Sequence, residues 1–222
     1  QAEAALLPNG VHQATIQFTN VTDGTGNTTR PVELEVGVPN PIYQEDFEEG
    51  LGGFTVDAGS TNLWHRTASC ASTQPGHSAP NSLFFGLDAS CNYNTGSASV
   101  GTVTSPAIVV SDPTLVKLRF SYFLGTENAP SANWDAATAQ VSVNGGPYVT
   151  VASNKPGSYA LADGTGAWQR ADINITSLVA GLSSPTIRLR FGFNTVDSAL
   201  NAFPGFLVDD VEVRAFSEPC TD

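Results

Sequence analysis

Two short acidic motifs near the ends of the chain carry the residue types best suited to chemistry. The first, EDFEEG, holds Asp46 and Glu48, which strand alternation sets opposite Phe47. The second, FLVDDVEV at 206–213, ends on Val211 and Val213, both expected to face a core. A period of two then turns Asp209 inward beside Leu207 and turns Asp210 outward with Val208 and Glu212. An ionised carboxylate pointing inward is costly unless it is paired or bound to a metal. If the first and last strands of the domain meet, Asp46, Glu48 and Asp209 gather into an oxygen-rich site, with the adjacent Asp210 a further candidate ligand, and Ca²⁺ takes six to eight such oxygens. The expected role is structural, tying the chain ends together. The alternative is that Asp209 hydrogen-bonds backbone donors near a bulge and that DFEEG is a solvated turn.

Other polar groups sit on loops. Asp88 lies in FFGLDASC, and Glu127 and the Trp134-Asp135 pair lie in LGTENAPSANWDAATAQV, where they could add ligands or form a second site. An exposed aromatic on a loop can stack on a sugar face or on a partner protein. Trp134 and Tyr148 are the first suspects for such a platform, although a Trp more often anchors a core or a loop.

The motifs of common catalysis are missing. Three histidines, His12, His65 and His77, are present, with no HExxH, GxSxG, GxGxxG or P-loop pattern. A Ser-His-Asp set could be assembled around His77, but any serine-rich chain permits that. The expectation is a protein that is not an enzyme.

Three cysteines bound the compartment. Cys70 and Cys91 bracket a loop-rich stretch, and a disulfide between them implies an oxidising, secreted or cell-surface setting. The alternative is free thiols in a reducing cell; metal ligation would need two more soft ligands nearby. Cys220 is unpaired, bonded to another chain, or separated from a partner further along.

These residues need elements to position them, and the two-residue period runs almost throughout. Val116, Leu118, Phe120, Tyr122 and Leu124 alternate with Lys117, Arg119, Ser121 and Phe123, and Ile187, Leu189, Phe191 and Phe193 alternate with Arg188, Arg190 and Gly192. A third run, Ala139, Val141 and Val143, leads into Asn144-Gly145-Gly146-Pro147, a hairpin turn. Further strands are expected near 82–87, 97–103, 106–110, 147–152, 167–175 and 205–215, with one helical turn within 175–182. Many short strands punctuated by Gly and Pro indicate an all-β, antiparallel jelly-roll β-sandwich. Residues 1–38 form an N-terminal hairpin with strands at 11–19 and 31–38, 39–41 a proline linker, 42–216 the jelly roll and 217–222 a tail. A lone hairpin is marginal in water, so this one must pack on the main domain, close an upstream domain, or pair with another subunit.

With 222 residues, the chain can hide roughly 70% of its unfolded surface. Lys and Arg number 9 and Asp and Glu 21, a net charge of −12, which argues against nucleic acid and anionic membrane surfaces. No apolar run approaches the ~20 residues of a membrane span. Met is absent, which points to a processed form or a fragment.

The order DFEEGLGGF, LWHR, SLFFG, GTVTSPAIVV, LRFSYFL and FLVDDVEV resembles a MAM domain or its bacterial MAM-like relatives across 42–216. The ending GTGNTTRPVELEV of the hairpin resembles the last two strands of bacterial Ig-like repeats. The MAM resemblance implies a jelly roll related to concanavalin-like and carbohydrate-binding sandwiches, no catalysis, and a role in adhesion as an accessory module of a secreted protein. It implies a cation site on Asp209, with Asp46 and Glu48 matching the opening motif. Gly52-Gly53 stands where the animal domains place a Cys, which favours the bacterial relatives. The expected partner is a surface glycan or protein, or neighbouring copies of the chain in a filament or surface layer built through the hairpin.

Overall fold

The computed structural model describes residue 7 and residues 10–111, 115–127 and 133–217. In chain order the strands are β1 (Gly10–Phe18), β2 (Thr28–Val36), β3 (Val38–Glu45), β4 (Thr55–Val56), β5 (Trp64–Thr67), β6 (Ser82–Phe85), β7 (Val100–Thr104) and β8 (Ile108–Val109). They continue as β9 (Leu115–Gly125), β10 (Ala136–Val143), β11 (Val149–Ser153), β12 (Tyr159–Ala160), β13 (Gln169–Asn174), β14 (Thr186–Asn194) and β15 (Gly205–Ser217). One helical turn, α1 (Thr176–Val179), falls within the expected 175–182 window.

The fold is an all-β antiparallel sandwich of the jelly-roll type. One sheet runs β12-β11-β10-β14-β7-β4, with β8 also on β14. The other runs β13-β9-β15-β6-β5, with β3 also on β15. Only the short β11–β12 pairing among the described strands is parallel. Asn144 and Gly145, at φ 49° and 74°, turn the β10–β11 hairpin in the primed geometry that matches strand twist.

The alternating apolar positions meet between the sheets. Phe191 of β14 lies 5.1 Å from Phe120 of β9 and 6.4 Å from Phe206 of β15, so one ring joins both layers. Such aromatic pairs add about 0.5–1.5 kcal/mol each beyond their burial. A second cluster, Ala71, Phe84, Phe123, Trp168 and Leu207, lies on the other face of the β9/β15 sheet. Phe123, on the phase it shares with Lys117, Arg119 and Ser121, is covered by the segment following Cys70. Trp168 ties that segment down by donating its indole N–H to the carbonyl of Ala71 at 2.9 Å. Gly76, at φ 117°, permits the approach, since a Cβ there would meet the Trp168 Cβ at 2.9 Å.

The proline linker is a strand. Val38–Glu45 pairs with β15 from Ser217 back to Val211, and β3 has no second neighbour among the described strands, so Pro39 and Pro41 interrupt no second ladder there. The hairpin β1–β2 forms a sheet of its own, joined to β3 through Gly37. Cys220 lies outside the described residues.

Candidate functional site

The acidic pair on β15 sits at a bulge. The register against β9 shifts between Asp209 and Glu212, and Asp210 adopts φ 47°. On the other edge of β15, pairing with β6 ends at Val208 and pairing with β3 begins at Val211. The extra residue breaks the simple alternation. Phe206, Val208, Val211 and Val213 all reach the main core, while Leu207 and Asp209 point to the opposite face, beneath the loop that follows Cys70. The expectation that Asp209 shares a face with Val211 and Val213 is therefore corrected, as is that of Asp210 sharing one with Val208.

Asp209 is fully buried and its partner is His77. His77 Nδ1 lies 2.6 Å from Asp209 Oδ2, and neither side chain is exposed. Ser78 donates its hydroxyl to the same oxygen at 3.0 Å. The other ring nitrogen, Nε2, lies 3.1 Å from the carbonyl of Ser72. A carbonyl only accepts, so Nε2 carries a proton, and a second proton is shared between Nδ1 and Asp209. The imidazole also stacks on Trp168, with centroids 3.9 Å apart. Burial, reinforced by the charges of Asp210 and Glu48, pushes the Asp209 carboxyl up to about 8. Both ring nitrogens are committed, one of them to a backbone carbonyl where a nucleophile would have to stand, so the arrangement is a buried clamp.

The proposed calcium ligands are engaged elsewhere. Glu48 accepts the backbone N–H and side-chain amide of Asn81 at 2.8 and 2.7 Å. Asp210 accepts the Ser78 N–H at 3.3 Å and the Ser121 hydroxyl at 2.7 Å. Asp46 accepts the N–H of Glu48 at 3.1 Å. Asp88 accepts the Thr67 hydroxyl at 2.8 Å and meets His65 Nε2 at 3.0 Å. Among the described residues no three His, Cys, Asp or Glu side chains gather into a metal cage. Glu48 and Asp210 have both carboxylate oxygens engaged by donors of the protein, which leaves them poorly placed as Ca²⁺ ligands, whereas Asp209 Oδ1 is buried with no hydrogen-bond partner among the described residues. Asp46 and Asp210 do line one groove of about 590 Å³, with Arg170 and Arg214 on its walls and no aromatic ring.

The long loop divides its suspects. Asp135 is 1% exposed, at φ 51°, and accepts the Tyr93 hydroxyl at 2.7 Å, so it is a buried anchor and not a surface ligand. Burial raises both its carboxyl and the Tyr93 phenol. Glu127 meets Asp135 through its backbone N–H at 3.5 Å. Trp134 is 39% exposed beside them.

Tyr148 stands in a different place, over the outward face of the sheet built on β10 and β14. Ile187, Leu189, Phe191 and Phe193 of β14 enter the core, which turns Arg188 and Arg190 outward. The guanidinium carbon of Arg190 lies 3.6 Å from the centre of the Tyr148 ring. Arg190 Nε donates to Gln140 Oε1 at 2.8 Å, and Gln140 Nε2 donates to Thr150 at 3.2 Å. Strand pairing extends this row through Thr104 to Thr55. The result is a polar platform carrying one aromatic ring and one fixed guanidinium. Sequence reasoning names Tyr148 as a candidate and does not name Arg190 or Gln140, which the structure places against it. The available signal was Arg188-x-Arg190 on the outward phase of a strand in a chain with few basic residues.

Cys70 and Cys91 form the expected disulfide, with Cα atoms 5.2 Å apart. It closes the stretch that supplies His77 and Ser78 to Asp209.

The chain matches no protein-family model and no curated protein sequence. Among solved structures, it is similar to a carbohydrate-binding module of the β-sandwich superfamily (15% identity, TM-score 0.42, 92% of this chain and 74% of that one). It is also similar to the K1 cleaved adhesin domain of Lys-gingipain from Porphyromonas gingivalis (15% identity, TM-score 0.47, 79% and 98%). A third is the tandem CBM22 domain of Xyn10C from Paenibacillus barcinonensis (15% identity, TM-score 0.41, 84% and 48%). At these identities and scores the likeness bears on neither ligand nor mechanism. The fold assignment rests on the sheet topology itself.

Proposed function

We propose that the chain is a non-catalytic, extracellular MAM-like jelly-roll module that binds a glycan on the outward face of the β10/β14 sheet. The observation that carries this reading is the Tyr148–Arg190 stack, fixed from the side by Gln140. A sugar ring presents C–H groups to an aromatic face and hydroxyls to polar neighbours; Arg190 covers one face of Tyr148, so the ring's other face would take the C–H groups and the surrounding polar side chains the hydroxyls. The 590 Å³ groove on the opposite sheet offers charges but no ring. An extracellular setting is supported by the Cys70–Cys91 bond. Among the described residues no helix is long and apolar enough to cross a membrane. A glycan array probed with the chain and with Tyr148→Ala tests the reading. Binding that falls roughly tenfold in the variant, about 1.4 kcal/mol, is expected. Absence of glycan binding, or equal binding by both proteins, would overturn it.

A second reading, assembly through the N-terminal hairpin, is favoured by one observation. Ile16, Phe18, Val32 and Leu34 are exposed on one face of a two-stranded sheet whose outer edges pair with no described strand. Light scattering separates the cases. A mass near 23.2 kDa removes this reading, whereas an assembly that dissolves on Ile16→Asp supports it.

A further inference from the structure

The platform on β10 and β14 is unevenly supplied with hydrogen-bonding groups. Both polar atoms of the Gln140 amide are used, its oxygen by Arg190 and its nitrogen by Thr150. Asp57, beyond the cross-strand neighbour of Arg190 on the same face, accepts the hydroxyls of Thr102 and Thr104. Arg190 differs. Its Nε is bonded and its plane is stacked, yet its two terminal nitrogens have no partner among the described residues. A guanidinium carries five N–H groups, so the four on its two terminal nitrogens remain to donate.

Charge points the same way. The chain has a net charge of −12, and its nine Lys and Arg residues are scarce. Lys117, Arg119 and Arg214 are paired with carboxylates on the opposite sheet. Arg188 and Arg190 form no ion pair among the described residues; Arg188 instead donates to the carbonyl of Ser105 at 3.0 Å. Two adjacent outward guanidinium groups with no direct ion pair make a local concentration of positive charge on an acidic molecule, the carboxylate of Asp57 on that face being bonded to Thr104, the cross-strand neighbour of Arg190. The stack and the Nε bond hold one of them still, so little conformational freedom is lost when an anion docks. A planar fork of two amino groups matches a planar carboxylate in bidentate fashion.

Resting on the glycan reading, we infer that the saccharide is acidic and that its carboxylate is held by the terminal amino groups of Arg190 while its ring lies against Tyr148. Neutral sugars offer only hydroxyls to this fork, which accept without the charge and planar bidentate match of a carboxylate.

The test is calorimetric titration of the whole chain with paired probes: oligogalacturonate, oligoguluronate and sialyllactose, each beside its methyl ester, plus neutral oligosaccharides. At least one acid is expected to bind, its ester at least tenfold more weakly, with affinity falling as salt rises. Arg190→Gln should lose at least tenfold with an unchanged melting curve, and Arg190→Lys should not restore the loss, because an ammonium cannot form the fork. The acid–ester comparison on the unaltered chain stands even if a variant fails to fold. Equal binding of acid and ester would overturn the inference. Binding confined to neutral sugars and dependent on Tyr148 would overturn it while leaving the glycan reading in place, and no binding to any saccharide would remove both.

Discussion

His77 Nδ1 and Asp209 Oδ2 stand 2.6 Å apart with neither side chain open to water, so residues 132 positions apart in the chain share one proton. The Asp209 carboxyl is raised from its ordinary value of 3.8 to about 8, chiefly by burial. A carboxyl raised on folding binds its proton more tightly in the native state than in the unfolded chain. Its contribution is therefore complete below about pH 4 and is lost as pH rises through about 8. Melting temperature should fall by several degrees between pH 5.5 and 8.5. In Asp209→Asn that slope should flatten; parallel slopes in the two proteins would contradict the assignment.

Removing one member of the clamp should be far worse than removing both. His77→Ala leaves Asp209 buried without its ring partner, a loss of about 3–5 kcal/mol by analogy with broken buried pairs. For a domain of this size that lowers the melting temperature by about 10 °C. His77→Phe combined with Asp209→Leu should recover most of the loss, since two apolar groups leave no orphaned charge. Thermal unfolding of the two variants checks the difference.

The disulfide and Trp168 should report on each other. Cys70 and Cys91 anchor the segment whose Ala71 carbonyl accepts the Trp168 N–H. Replacing both cysteines by Ser should cost about 3 kcal/mol in the chain-entropy account. Tryptophan emission should also shift to the red as water reaches the second cluster. A melting loss with no spectral change would place the effect in the unfolded chain alone.

Chelation should leave the fold untouched. The carboxylates of Glu48, Asp209 and Asp210 already accept donors from Asn81, His77, Ser78 and Ser121. Melting curves in EDTA and in millimolar Ca²⁺ should coincide. A drop in EDTA reversed by Ca²⁺ would show that these side chains rearrange around a cation.

The strands were legible in the sequence because a sandwich buries one phase of each strand. The alternation of Ile187 to Phe193 marked β14, the Asn144-Gly145 pair marked its neighbouring hairpin, and the cysteine spacing marked the disulfide. What was not legible depends on contacts distant in sequence. One extra residue at Asp210 reverses the facing of Asp209 against Val211, and no local signal separates that bulge from a regular strand. His77 reaches Asp209 across most of the chain, so a carboxylate that looked ready for a metal is met by an imidazole. Arg190 was overlooked because an outward arginine on a strand resembles any solvated charge until Tyr148 is found above it.

The most direct test of the central claim is an NMR titration that follows the arginine Nε–H signals of the intact chain as oligosaccharide is added. The account requires the Arg190 signal and the Tyr148 ring resonances to shift together and saturably while the Arg119 and Arg214 signals of the opposite sheet stay still. Shifts confined to Arg170 and Arg214 would move the binding site to the groove between β3, β13 and β15 and contradict the platform.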